Sequence, residues 1–142
     1  MNQVDFEHVL PSEAQIESLF ELLVQRLHKI SCEDVSYIEH KRFVKSYPYR
    51  DWFLIGVSDR YVGSFYVSKE NTIGINVSDE YTSLVVSQII NFVKENFKPL
   101  PPIPSIRSEK FAVNVPPSNL QLANALEAVD AKIAQISYFL PS

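Results

Sequence analysis

Cysteine is almost missing from this chain: Cys32 stands alone. No disulfide can form within the chain, which suits a reducing cytoplasm, and a solitary cysteine without a partner reads as a small buried hydrophobe rather than a nucleophile. No histidine pair or acidic cluster has metal-ligand spacing, so no metal is expected. A basic excess is missing too. Thirteen Lys and Arg against seventeen Asp and Glu leave a net charge of −4. Such a chain has no broad field to attract nucleic acid or an anionic membrane. No stretch approaches the ~20 apolar residues of a membrane span. The opening MNQVDFEHVL is too acidic, and its apolar run too short, for a signal peptide. The expected location is therefore the cytoplasm. Glycine is scarce, and its three copies, Gly56, Gly63 and Gly74, fall in one short region.

What is present is enough for one folding unit. The 142 residues, 46% of them hydrophobic, suit a single domain over 1–142. A chain of this size buries about 70% of its unfolded surface and needs no staple. Val4 to Leu10 alternates as a strand and stops at Pro11. Ser12 with Gln15 is a capping box that opens a helix, with Ile16, Leu19, Phe20, Leu23 and Leu27 at helical spacing. The box recurs at Ser36 with Glu39, before Phe43 and Val44, and at Ser118 with Gln121, before Leu122, Ala125, Leu126 and Val129.

Three β-rich runs lie between the second and third boxes. Trp52 to Val57 and Tyr61 to Val67 are joined through Ser58, Asp59 and Arg60 as a hairpin. A short turn, Lys69 to Asn71, leads on to Ile73 to Val77. A helix from about Ser83 to Phe97 follows, with Val85, Ile89, Phe92 and Val93 toward the core. The next segment carries four prolines within residues 99–104, so it is a stiff surface connection. Lys110 to Val115 and Ala131 to Leu140 complete the pattern as strands. The order β-α-α-β-β-β-α-β-α-β predicts an α/β (α+β) domain: a mixed, mostly antiparallel central sheet with helices on both faces.

This order, with SYIEHKRFVKSYPYRDWFLI, YVGSFYVSKENTIGINV and NVPPSNLQLANALEAVDAKIAQISYFL, resembles the GCN5-related N-acetyltransferases. The first two stretches are similar to small bacterial members that modify amino-sugars for surface polysaccharides. The resemblance implies a splayed middle strand whose free backbone pairs with the pantetheine arm of acetyl-CoA. Ile75, Asn76 and Val77 take that place. It also implies a glycine turn that holds pyrophosphate at the start of the following helix. On this chain Tyr81, Leu84 and Val86 fall where that turn carries a basic or amide residue and two small ones; Thr82 and Ser83 still offer hydroxyls to the phosphates. Asn119 matches an asparagine near the cofactor, while Leu126 falls on the family's usual tyrosine, Asp130 on its Gly-Phe and Thr72 on a glutamate.

Among the remaining candidates, His40 either lines the acceptor pocket as a catalytic general base, as the match to a histidine in the sugar-modifying relatives implies, or sits on the exposed side of a short helix. Tyr81 and Tyr138 are the tyrosines that stand in as acid, and Tyr66 and Arg50 are placed at the substrate. Arg50 also belongs to the basic group Lys41, Arg42, Lys45 and Arg50, which either holds phosphates of a nucleotide-sugar or coenzyme A or, as such charges more often do, forms a solvated helix face. Gly74 marks either a bulge that splays the strand or a point of close packing. Three functions stay open: acetyl-CoA-dependent transfer to a small amine such as an amino-sugar nucleotide, transfer from a differently bound acyl donor such as a carrier protein, and a catalytically inactive binding or assembly module. A homodimer is compatible with each. Fold alone does not choose among them.

Overall fold

A computed structural model describes residues 3–26 and 36–142; Leu27 and Cys32 lie outside them. The chain runs β1 (Val4–His8), α1 (Glu13–Gln25), α2 (Tyr37–Lys45), β2 (Asp51–Val57), β3 (Arg60–Val67), β4 (Thr72–Val77), α3 (Asp79–Asn96), β5 (Ala112–Val113) and α4 (Leu120–Ala128). The five strands form one sheet in the order β1-β2-β3-β4-β5. The first four pair antiparallel, and β5 joins β4 in parallel.

Alternation along β2 divides the core into two layers. Phe53, Ile55 and Val57 face α3 and α4, where they meet Phe65, Val85, Ile89, Val93, Leu122 and Leu126. Trp52 and Leu54 face α1 and α2, where they meet Val9, Ile16, Leu19 and Val44. Helices therefore cover both faces, as the sequence predicts. Fully burying one such aliphatic or phenyl side chain stabilises the fold by about 1.5–3 kcal/mol.

Local chemistry sets the element ends. Ser12 Oγ accepts the Gln15 N–H at 3.2 Å, and Ser36 Oγ accepts the Glu39 N–H at 3.2 Å, satisfying donors that the first helical turn leaves free. The β2–β3 hairpin needs only Ser58 and Asp59, both at positive φ (49° and 67°), the pair of conformations a tight right-twisted hairpin requires. Asn71 sits at φ 63° and is fully buried. Its amide nitrogen donates to Leu100 O at 2.8 Å and Ser108 O at 2.9 Å, and its oxygen accepts from Leu100 N at 2.7 Å. One side chain thus ties the proline-rich loop to the β3–β4 turn. Arg107 supports it, donating to Pro101 O at 2.7 Å and Lys69 O at 3.0 Å.

Four sequence expectations change. The helix expected from Ser83 begins at Asp79, because Ser78 followed by two acidic residues suits a helix start and its dipole. The last helix is capped by Asn119, whose side chain accepts from Leu122 N, rather than by Ser118. The strand expected over Lys110 to Val115 shortens to Ala112–Val113. Ala131 to Leu140 forms no strand: it has no regular secondary structure and is exposed. Asp130, at φ 66°, follows the end of α4, with Ala131 N donating to Leu126 O at 3.0 Å. A strand is stable only with a hydrogen-bonding neighbour, and among the described residues the tail has none.

Candidate active site

Strand β4 is paired unequally on its two sides. Toward β3 it is in register over five residue pairs, from Val67↔Ile73 to Gly63↔Val77. Toward β5 it pairs only at Thr72 and Ile73. From Gly74 to Val77 that edge has no strand partner among the described residues, so backbone donors and acceptors are left for another molecule. The unpaired stretch includes Ile75, Asn76 and Val77, where the resemblance implies a splay. Gly74 itself serves close packing: a side chain there would run into the Tyr66 ring. A Cβ on Gly63 would likewise meet the β4 backbone at Asn76.

Beside the upper end of β4 lies a cleft of about 600 Å³. One wall comes from the end of α1, with Leu19, Leu22 and Arg26, and from α2, with Glu39, His40 and Phe43. The sheet contributes Trp52, Ser64, Tyr66 and Asn76, preceded by Tyr49 at the entry to β2. Val77, Ser78, Asp79 and Asn119 close the end next to the open edge.

The sheet wall is an aromatic stack. Tyr49 and Tyr66 lie face to face, 3.8 Å between centroids and 7° from parallel. Trp52 meets the edges of Tyr49 and Tyr47, each at 5.4 Å, and of Phe43 at 5.9 Å. Burial raises the Tyr49 hydroxyl to about 12, with Tyr66 adding to the rise and Arg26 opposing it. Burial also raises Tyr66, against the pull of Arg26. Both phenols therefore stay protonated at neutral pH. Burial lowers Arg26 from the usual arginine value, and the two tyrosines partly offset this.

His40 is buried, and its Nε2 lies 3.1 Å from Ile16 O. A carbonyl only accepts, so Nε2 carries the proton and Nδ1 keeps a lone pair. Burial lowers its pKa, partly countered by that hydrogen bond. This is not the exposed helix-face histidine that one sequence reading describes; it is a neutral, fixed imidazole at the cleft wall.

The cleft brings together His40, Tyr66, Asn76, Val77 and Asn119 of the expected site residues. Asn119 is buried, with its oxygen engaged at Leu122 N (3.1 Å). Ile75 points its side chain into the α3–α4 core and contributes only backbone to the open edge. The others fall elsewhere. Tyr81 packs against the α3–α4 core, because the earlier helix start moves it into the first turn. Thr82 is buried with its hydroxyl donating to Ser78 O at 3.1 Å, and Ser83 faces solvent within the helix. Leu84 and Val86 belong to the helix body, packed on the core. Tyr138 is 83% exposed on the tail. Arg50 reaches the proline loop, donating to Lys98 O at 2.9 Å with its guanidinium 5.4 Å above the Phe97 ring. Lys41 pairs with Glu13 at 3.1 Å. The sequence reading passed over Arg26 and Trp52. The only local sign was a lone cation at the end of an apolar helix face and a single tryptophan at the head of a strand.

The chain has the fold of GNAT-type acetyltransferases: a mostly antiparallel sheet opening at its fourth strand, with helices on both faces. The aminoglycoside N-acetyltransferase AAC(6')-Iy, solved in complex with CoA, is similar at 11% identity with a TM-score of 0.63, over 100% of this chain and 96% of that one. A possible acetyltransferase from Clostridium difficile 630 is similar at 10% identity and TM-score 0.57, over 100% of this chain and 97% of that one. A probable acetyltransferase from meticillin-resistant Staphylococcus aureus, SA2161, is similar at 13% identity and TM-score 0.51, over 97% of this chain and 100% of that one. No protein-family model and no curated protein matches the sequence. No helix among the described residues is long and apolar enough to cross a membrane.

Proposed function

We propose that this protein is a cytoplasmic N-acyltransferase that moves an acyl group from a thioester donor of the acetyl-CoA type to a small amine held in the cleft. The observation that carries this reading is the open edge of β4, Gly74 to Val77, running beside a cleft with a fixed neutral histidine. The edge suits an extended arm bearing amides, such as pantetheine, because strand addition satisfies both partners. When bound, such a donor supplies an acyl group activated as a thioester. The chain's own part is to seat the amine against the aromatic wall and to accept its proton at His40 Nδ1.

The start of α3 receives the pyrophosphate end of such a donor poorly. Its first turn carries Asp79 and Glu80, whose charges oppose a phosphate at the helix N-terminus. This supports the second reading, an inactive binding module on the same scaffold. Thermal unfolding separates the two. Acetyl-CoA at about 100 times its dissociation constant adds about 2.7 kcal/mol, several degrees on a domain of this size. A shift followed by acylation of amines supports the transferase. No shift at millimolar acetyl-CoA removes that donor.

The tail supports self-association. Ile133, Ile136, Tyr138, Phe139 and Leu140 are 70–88% exposed, and β5 leaves the sheet edge uncovered. A second copy gives each tail the strand neighbour it lacks, so we assign the tail to a homodimer contact. Sedimentation should show a dimer that becomes a monomer when the chain is cut after Asp130; a full-length monomer at micromolar concentration contradicts the assignment.

A further inference from the structure

Buried donors and acceptors in folded proteins are nearly always paired, because an unmade hydrogen bond in low dielectric is costly. Three buried side-chain atoms break that rule among the described residues: Gln15 Oε1, Arg26 Nε and Trp52 Nε1. Gln15 has an account in the fold, since its amide nitrogen ties α1 to β1 through Glu7 (2.9 Å) and His8 O (3.0 Å). The other two share three properties. Both belong to residues that line the cleft. Each is a donor that never accepts. Neither of the two atoms has a hydrogen-bond partner among the described residues, and Trp52 is only 7% exposed.

We propose that Arg26 and Trp52 form an anion subsite, so that the acceptor is a small molecule carrying an amine and a carboxylate or phosphate. This deepens the acyltransferase reading and, for the amine, rests on it. A guanidinium fork is the side chain best matched to planar or tetrahedral oxyanions, and burial strengthens its bonds. The indole N–H of Trp52 is the second unpartnered donor among the residues lining the same cleft. The Tyr49–Tyr66 stack, which lies in the field of Arg26, gives the carbon skeleton an apolar surface. Glu39, whose carboxylate also accepts from Ser36 Oγ at 3.2 Å, lines the same cleft, so an ammonium also meets an acidic side chain there. Opposite signs on one cleft select a zwitterion over a simple polyamine.

Trp52 is the only tryptophan, so its indole N–H gives one resonance that reports on the subsite directly. The test titrates the full-length protein with two matched pairs: 5-aminopentanoate against pentylamine, and glucosamine 6-phosphate against glucosamine. The anionic member of at least one pair should move the indole resonance and bind about tenfold or more tightly than its neutral analogue, as expected for charge-assisted bonds. The pair that responds distinguishes carboxylate from phosphate. R26Q should erase the preference, and R26K should retain part of it with the fold intact by circular dichroism. The proposal is overturned if neither anion moves the resonance, or if R26Q binds them as tightly as the unmodified chain. No donor or turnover enters this measurement. Anion binding without acylation defeats the transferase reading alone, while acylation of pentylamine with no preference for either anion defeats the subsite alone.

Discussion

The two sides of strand β4 teach different things about this protein. The side toward β3 is closed: five residue pairs in register, a tyrosine ring laid over Gly74, and a phenyl stack beneath. The side toward β5 is open after two pairs. The closed side carries the aromatic wall of the cleft, in which each ring packs on another ring. The open side leaves main-chain groups free, and main-chain groups bind extended ligands without demanding particular side chains. An open strand edge constrains backbone, not residue type.

The closed side is the easier to break. Phe65 is fully buried and stacks on Phe53 with centroids 5.0 Å apart. Phe65→Ala should cost about 3–5 kcal/mol in a urea melt, the largest effect expected here. Gly74→Ala is subtler. Its new Cβ enters the space of the Tyr66 ring, so the Tyr49–Tyr66 stack must separate at a cost of about 1–3 kcal/mol, and ligand affinity in the cleft should fall with it. Gly56→Ala is the control. Its Cβ would meet nothing nearer than 3.8 Å, and its melt should match the parent. Equal effects from the two alanines would refute the packing account of Gly74.

His40 yields the smallest effect, one of pH. Its folded pKa lies below the ordinary 6.5. Above that value both states are neutral and the histidine adds no pH dependence. As pH falls through it, the unfolded chain takes a proton that the folded chain refuses, so stability declines until the pH passes the folded value. His40→Gln should remove this part of the acid-side decline in chemical denaturation between neutral and mildly acidic pH. An unchanged decline would assign it to other groups.

Local and long-range information were unequally legible in the sequence. Ser12 and Ser36 cap helices as read, and the β2–β3–β4 meander appears as its β-rich runs and short turns predict, because caps, β-rich runs and tight turns are short-range physics. The start of α3 was misplaced because acidic residues such as Asp79 and Glu80 suit a connection and a first helical turn alike. Asn71 was read only as the end of a turn, since its partners Leu100 and Ser108 are fixed by the loop's path rather than by any nearby residue. The tail, with a strand's composition, forms none: composition cannot report a missing neighbour. Of the site, the cleft gathers His40, Tyr66, Asn76, Val77 and Asn119, whereas Tyr81, Thr82, Ser83, Tyr138 and Arg50 point to the core, solvent or the proline loop. Arg26 and Trp52 became visible only as donors without acceptors.

The central claim is that the open edge of β4 receives the arm of a thioester donor. Amide hydrogen exchange over 74–77, with acetyl-CoA and separately with pantetheine, which lacks the pyrophosphate, tests it most directly. The account predicts slower exchange at this edge with both ligands, and no comparable protection at the start of α3. Unchanged exchange over 74–77 with both ligands at millimolar concentration would contradict it.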